Sequence, residues 1–338
     1  MDPHPPTLSD VAAQAGVSLA TASRALNGSE RTVKPDLRQR VISAAAELGY
    51  STNVQAQAVA RGRSTTVALV VGDIADPYFA GISRGVIDVA RERGLVVTMS
   101  STGPYDGDSG VSREGELLAA LRRQRPCAVV FAGTRVVGEP TDITASDRTA
   151  VIGGGAPHVR TVRVDNRGGA LALAHELTSR GYREFTVLAG PNELITVRDR
   201  VEGFREHVPD AQVVSTEFSR AGGYRAMCQL LDSGFLAECV FAVADVMALG
   251  AMAALRERGY EPGRDVAVAG FDDIPLVSDV TPALTSVSLP LYQIGAQALE
   301  LALADDTVRE SALIPAHVRI RASTPGAENV REPRRLRA

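Results

Sequence analysis

Residues 7–27, TLSDVAAQAGVSLATASRALN, decide how the rest of the chain is read. Thr7 and Asp10 have the S/T-x-x-D/E spacing of a helix N-terminus, where the hydroxyl accepts an otherwise unpaired backbone N–H. Val11, Ala12 and Ala15 then recur on one narrow apolar face. Gly16 stands where the chain must turn sharply, since glycine takes left-handed angles without a Cβ penalty. Ser18 is placed to cap a second helix, whose Ala22, Ala25 and Leu26 face inward and which ends at Asn27-Gly28. A third helix is predicted from Pro35 to Leu48, with proline in its first turn and Gly49 after it. Two short helices joined by a tight turn, with small and polar side chains outward on the second, fit the DNA major groove. From the pattern alone, a three-helix cap on an enzyme is the alternative.

The stretch resembles the N-terminal signature of the lac repressor (LacI/GalR) family of bacterial transcription regulators. Similarity continues through the third helix and ELGY (47–50), and more weakly to about Pro325. The resemblance implies that the second helix enters the major groove. Carried over by position, Leu19, Ala20 and Arg24 face base edges, while Ser18, Thr21, Ser23 and Asn27 lie near phosphates. Thr7 and Asn53 complete the expected contact set. Arginine can donate two hydrogen bonds to guanine, small apolar groups pack on a thymine methyl, and hydroxyls hold phosphates without reading sequence. A solvated surface charge is the plain alternative for Arg24.

Residues 51–64, STNVQAQAVARGRS, are expected to form a hinge that in relatives becomes helical when paired on DNA and wedges a leucine into the minor groove. Val59 takes the wedge position here, shorter and β-branched, and Thr52 stands where proline is common. An apolar wedge offsets its unstacking cost by contacts on bent DNA.

Composition fits a cytoplasmic regulator. The formal charge is −4, but residues 1–63 carry seven basic against five acidic side chains, net +2, which leaves −6 for the rest. That modest asymmetry is compatible with local DNA contact without demonstrating it. MDPHPPTLSD has neither a basic n-region nor an apolar h-region, so no secretory signal is visible, and no membrane partner is expected. The apolar stretch from Cys239 to Leu255 is interrupted by Asp245 and is too short to span a bilayer. Cys127, Cys228 and Cys239 lack CxxC spacing and read as buried thiols of a reducing compartment.

The long remainder alternates strand and helix. TVALVVGD (66–73), LVVTMS (95–100), PCAVVFAG (126–133) and AVIGGG (150–155) form one strand series. FTVLAG (185–190), VVSTEF (213–218), CVFAVAD (239–245) and VAVAGFDD (266–273) form another. RERGL (91–95), TSRGY (178–182) and RERGY (256–260) each read as a basic helix end, a C-cap glycine and an apolar entry to a strand. The fold class is therefore α/β, with doubly wound parallel sheets in two lobes behind a three-helix helix-turn-helix domain, and ligands bind at strand C-terminal ends.

The resemblance implies a periplasmic-binding-protein-like regulatory domain whose two lobes are joined by three crossovers near Val164, Ser288 and Arg321. The expected organisation is a DNA-binding domain over 1–50, a hinge over 51–64, an effector domain over 65–325 and a disordered tail over 326–338. Within the effector domain, the N-lobe takes 65–164 and 289–320 and the C-lobe takes 165–288 and 321–325. The interlobe cleft is expected to hold a small sugar-like effector. Its candidates are Asp76, Tyr78 and Phe79 after the first strand, Arg198 and Arg200 in GPNELITVRDRVEGF, then Phe218, Asp245 and Asp272. Family position favours Arg200 and Asp272 as the principal polar contacts, with Phe218 and Phe79 on either side. Asp165 reaches the ligand or only caps the next helix, and Asp245 and Asp273 suit loop anchoring. Where many relatives have Asn-Asp, this chain has Ala244-Asp245, so no particular relative's effector transfers to it.

The expected function is a dimeric repressor of carbohydrate uptake or catabolism genes, bound to a pseudo-palindromic operator and controlled by its effector. The tail has no leucine heptads, which favours a dimer over a tetramer. No catalytic residue, metal or cofactor is expected. Gly81-Ile82-Ser83-Arg84-Gly85 matches the G-x-S-x-G nucleophile elbow but falls in a predicted helix. His175-Glu176 begins an HExxH-like string that Ser179 breaks, and Lys34, the only lysine, is far from any P-loop pattern. A solute-binding receptor, or a sugar hydrolase using Asp76, Asp272 and Asp273, remains as the alternative.

Overall fold

The computed structural model describes residues 6–27, 33–50, 64–103, 116–117, 119–132, 148–153, 159–234, 237–304, 311 and 313–330. The chain divides into two compact units at Thr65/Thr66.

The smaller unit contains α1 (Leu8–Ala15), α2 (Leu19–Asn27) and α3 (Pro35–Glu47). Thr7 and Asp10 close a reciprocal capping box: the Thr7 N–H donates to Asp10 Oδ2 at 2.8 Å and the Asp10 N–H donates to Thr7 Oγ1 at 3.4 Å. Gly16 has φ 62°, and a Cβ there would stand 2.8 Å from the Arg40 guanidinium, which donates to the Ala15 carbonyl at 2.5 Å. Glycine is thus required by the left-handed turn, to which the Arg40 side chain ties α3. Val11, Ala12, Ala15, Ala22, Ala25, Val41, Ala44 and Ala45 make a core of small side chains. With so little apolar area to bury, local capping weighs heavily. Thr7→Ala is expected to cost this unit about 1 kcal/mol. Amide exchange in α1 would report the loss, and unchanged protection would refute it.

The larger unit is built on two sheets. The first joins β1 (Thr66–Val71), β2 (Val96–Ser101), β3 (Ala128–Phe131), β4 (Thr149–Ile152) and β5 (Arg160–Val162), all parallel, in the order β2-β1-β3-β4-β5. The second joins β6 (Phe185–Ala189), β7 (Gln212–Ser215), β8 (Cys239–Ala242), β9 (Ala267–Asp272), β10 (Thr285–Ser288) and β11 (His317–Arg319), in the order β11-β10-β9-β8-β6-β7. Only the β10–β11 pair is antiparallel. Central strand β1 shows why such strands read as continuous apolar runs. Val67, Leu69 and Val71 enter one core, while Ala68 and Val70 enter a second on the opposite face.

Helices α4 (Pro77–Glu92), α5 (Asn166–Ser179), α6 (Ile195–His207), α7 (Arg220–Asp232), α8 (Asp245–Glu257) and α9 (Leu291–Leu303) cover the sheets. They pack as the pairs α4/α9, α5/α6 and α7/α8, each with glycine where the backbones meet. A Cβ on Gly203 would lie 2.2 Å from the Arg167 carbonyl, and one on Gly250 would lie 2.1 Å from the Arg220 carbonyl. The G-x-S-x-G string belongs to this packing. It lies inside α4, Gly81 and Gly85 face α9, and the Ser83 hydroxyl donates to the Phe79 carbonyl at 2.6 Å. No nucleophile is presented there.

The lobes are discontinuous in sequence. Helix α9 follows β10 of the second sheet yet packs on α4 and on β3, β4 and β5 of the first. Two crossover segments run side by side, the Ile314 N–H donating to the Arg163 carbonyl at 2.8 Å and the Asp165 N–H to the Ile314 carbonyl at 3.0 Å. The third crossover comes earlier than expected, since His317–Arg319 already pair with Ser286–Ser288 of the C-lobe. A three-residue edge strand has no periodicity by which sequence could mark it. The expected disorder from Gly326 also fails for the first residues of the tail. Ala327–Asn329 form a 3-10 turn, the Ala327 N–H donates to the Arg180 carbonyl at 2.9 Å and the Gly326 N–H to the Tyr182 hydroxyl at 3.2 Å. Residues 331–338 lie outside the described residues.

Cys239 is buried, whereas Cys127 and Cys228 are half-buried, so the expectation of three buried thiols is corrected. Among the described residues no helix is long and apolar enough to cross a membrane, and no cluster of three metal-ligating side chains occurs.

Candidate functional site

On the smaller unit, α2 begins with a self-contained cap. Ser18 Oγ accepts the Thr21 N–H at 3.1 Å and shares a hydrogen bond with Thr21 Oγ1 at 2.8 Å. Ala22 and Ala25 are buried against α1 and α3, which turns Leu19, Ala20 and Arg24 outward. Leu19 is 52% exposed, an apolar side chain left outside a core that has no place for it. Thr7 is exposed at the start of α1, and Thr21 and Ser23 are half-buried. The Asn27 side chain, Asn53, Val59 and the hinge residues 51–63 lie outside the described residues.

On the larger unit, a cleft opens at the C-terminal ends of both sheets, with about 450 Å³ of empty space when its solvent-open mouth is included. The first lobe contributes Asp76, Tyr78, Phe79, Ala132, Ile152 and Gly153, and the second contributes Asn166, Thr196, Arg200, Phe218 and Asp272. Asp76 is the N-cap of α4, accepting the Tyr78 N–H at 2.9 Å, and burial raises its carboxyl above the ordinary range. The Tyr78 and Phe79 rings meet edge to face, with centroids 5.1 Å apart. Burial, and then the Asp272 charge, push the Tyr78 hydroxyl upward, so it stays protonated as a hydrogen-bond donor.

Arg200 organises the opposite wall. Its Nε donates to Asn166 Oδ1 at 3.0 Å and its Nη1 to the Val243 carbonyl at 2.7 Å. Nη2 meets Asp272 Oδ1 at 2.8 Å, off the axis of a linear hydrogen bond, and the guanidinium lies 3.8 Å above the Phe271 ring centroid. Arg200 is 2% exposed and Asp272 4% exposed, so the pair is held almost out of water. Burial pushes the Asp272 carboxyl up to about 7, against the pull of Arg200 and with further repulsion from Asp76.

The end of β9 that delivers Asp272 is strained, with φ 108° at Asp272 and 57° at Asp273. Such angles persist only where surrounding contacts over-determine them. Asp245 supplies two: Oδ2 accepts the Ile274 N–H at 2.9 Å, and Oδ1 accepts from Ser286 Oγ at 2.7 Å, which itself accepts the Asp273 N–H at 3.1 Å. Asp273 is further held by Arg321 at 2.6 Å and Arg319 at 3.1 Å.

Three expected contacts are therefore not in the cleft wall. Asp245 is fully buried behind the Asp272 loop. Asp165 caps α5, accepting the Gly168 N–H at 2.9 Å. Arg198 points along α6 toward Glu202 at 4.0 Å. The structure brings together Asp76, Tyr78, Phe79, Arg200, Phe218 and Asp272, and adds Asn166, Thr196, Ala132, Ile152, Gly153 and Val164. Ala132 and Gly153 directly follow strands, so the strand-end rule was sufficient to find them. Asn166 and Thr196 carried no comparable signal.

The two parts match known families separately. Residues 7–53 match the description "Bacterial regulatory proteins, lacI family", and residues 174–324 match "Periplasmic binding protein-like domain". The chain is 33% identical to the HTH-type transcriptional regulator CelR of Thermobifida fusca, over 88% of this chain and 90% of that protein. Among solved structures, the lac repressor dimer bound to operator and an anti-inducer aligns with a TM-score of 0.78 and 25% identity, over 95% of this chain and 99% of that one. A CelR–cellobiose complex aligns with a TM-score of 0.63 and 30% identity, over 94% and 99%. An outward-facing α2 on a helix-turn-helix head, and a two-lobed α/β unit with a polar cleft, are the two halves of this architecture. The chain belongs to the lacI family of bacterial regulatory proteins and is a helix-turn-helix, DNA-binding transcriptional regulator.

Proposed function

We propose that this protein is a repressor of carbohydrate uptake or catabolism genes. As a homodimer in the cytoplasm it binds a pseudo-palindromic operator, and a small sugar-like effector in the cleft releases it. The observation that carries the reading is the cleft itself, where Asp76 and Phe79 from one lobe face Arg200, Asp272 and Phe218 from the other. Carboxylates and an arginine suit vicinal hydroxyls, and aromatic rings suit the apolar face of a sugar. The relatives named above include a regulator bound to cellobiose and a repressor dimer bound to operator. A ligand touching both lobes stabilises the closed arrangement by its differential affinity, and by no more than that. No turnover is expected at this site, since the relatives named above are transcriptional regulators.

A thermal-shift screen with cellobiose, ribose, glucose and galactose, followed by anisotropy on DNA from the gene's own upstream region, tests this. A sugar that stabilises the protein and weakens its DNA binding is the expected result. Consumption of the sugar without any DNA binding would establish the hydrolase reading instead, and sugar binding without DNA binding the receptor reading. On the DNA side, α2 offers Arg24 as its one long donor beside Leu19 and Ala20. Arg24→Ala is expected to lose about 1–3 kcal/mol of discrimination between operator and unrelated DNA. An equal loss on both DNAs would make Arg24 a phosphate contact.

A further inference from the structure

The cleft wall contains carboxylates from both lobes but, among the described residues, one cation, Arg200. Arginine recognises a phosphate or carboxylate through a free fork of donors. Here each guanidinium nitrogen already faces a protein partner, Asn166, Val243 or Asp272, and Phe271 lies against one face, so single N–H groups remain for a ligand hydroxyl but no wholly free fork for an anion.

The opposite wall repeats the theme. Helix α4 has 16 residues and begins at the cleft, and such an N-terminus attracts anions through its unpaired N–H groups and its dipole. In this chain Asp76 fills that place with its own carboxylate, accepting the Tyr78 N–H. Asp76 also acts across the cleft, where its charge helps to raise the Asp272 carboxyl. The cleft already resists a second negative charge of its own, so a third would be less welcome still.

We propose that this cleft excludes anions: its effector is an uncharged sugar, and Asp76 is the residue that shuts out sugar phosphates and uronic acids. The inference rests on the reading of the cleft as the effector site. Selection here works by repulsion, through a charge placed where the wrong ligand's charge would sit. The same carboxylate still serves the right ligand, since it accepts hydrogen bonds from hydroxyls.

Calorimetry on the full-length wild type, Asp76→Asn and Asp76→Gly tests it, because asparagine and glycine both serve at a helix N-cap and the fold is retained. The probes are glucose with glucose 6-phosphate, ribose with ribose 5-phosphate, galactose with galacturonate, and inorganic phosphate alone. The wild type is expected to bind free sugars only. The variants should gain at least roughly tenfold in affinity for the charged partner of whichever sugar binds. Asp76→Gly, with the helix N-terminus opened, should bind inorganic phosphate at least roughly tenfold more tightly than the wild type. A wild type that takes a sugar phosphate or uronate as tightly as its free counterpart would overturn the proposal and leave the effector site standing. So would variants that bind free sugar yet gain nothing for anions. If the wild type binds no sugar of either kind, the effector reading fails, and the phosphate result with Asp76→Gly still decides whether Asp76 blocks an anion site.

Discussion

Gly85→Ala is expected to destabilise the larger unit by about 3 kcal/mol or more, an effect large for the addition of one methyl group. A Cβ at Gly85 would lie 2.0 Å from the Tyr292 carbonyl and 2.7 Å from the Ala296 N on α9. The contact is reciprocal, since a Cβ at Gly295 would lie 2.0 Å from the Ile82 carbonyl on α4. Backbone atoms cannot rotate aside, so the helices must separate and forfeit dispersion contacts along their whole seam. Gly94→Ala is the informative comparison. Gly94 has φ 66° and nothing within 4 Å of its missing Cβ, so alanine there meets only the left-handed penalty, about 1–2 kcal/mol. Denaturant unfolding of the two variants separates crowding from backbone strain. If Gly94→Ala proved the more damaging, the close helix seam would not be what requires glycine at position 85.

That contrast also marks what the sequence makes legible. The strings RERGL, TSRGY and RERGY announce left-handed helix ends, and Gly94, Gly181 and Gly259 have φ 66°, 93° and 79°. Such signals are local, and so are the capping box at Thr7 and the apolar run of β1. Gly85 carries no local signal, because its reason lies on a helix some 200 residues further along. The short strands β5, β10 and β11 were hidden for the same cause. RTV, TSVS and HVR are polar; the first two are buried by distant partners, and HVR is an exposed edge fixed by its pairing with β10. Arg160 in β5, for instance, donates to the Ala302 and Ala304 carbonyls at the end of α9. The cleft divides in the same way. Asp245 and Asp272 both end apolar strands and look alike in sequence, but one starts a helix and turns into the core. The other sits at φ 108°, which aims it at the cleft, and nothing in FDD foretells that angle.

Arg200→Met is expected to abolish the response to effector and to cost about 3–5 kcal/mol, the range for breaking a buried ion pair by removing one partner. Methionine keeps much of the side-chain volume, so the loss reports on charge and hydrogen bonds rather than on a cavity. Two acceptors lose their donor, Asn166 Oδ1 and the Val243 carbonyl, and Asp272 loses its ionic partner. The pH dependence separates the ionic part. Burial raises Asp272 in the folded wild type to about 7 from an ordinary 3.8, so the folded state holds this proton more tightly than the unfolded state does. Its contribution to stability therefore falls as pH rises through that window and is level above it. Without Arg200 the carboxyl rises further, and the decline continues to higher pH. The gap between wild type and variant should thus be smaller at pH 5, where Asp272 is protonated in both, than at pH 8, where only the wild type holds it as a paired carboxylate. Denaturant midpoints at the two pH values measure this. An equal gap at both would show that Arg200 acts through its bonds to Asn166 and Val243 alone. Effector binding follows the same logic: hydroxyls donate best to an ionised Asp272, so wild-type affinity should weaken as pH falls below about 7, with Arg200 holding the carboxylate in its binding form.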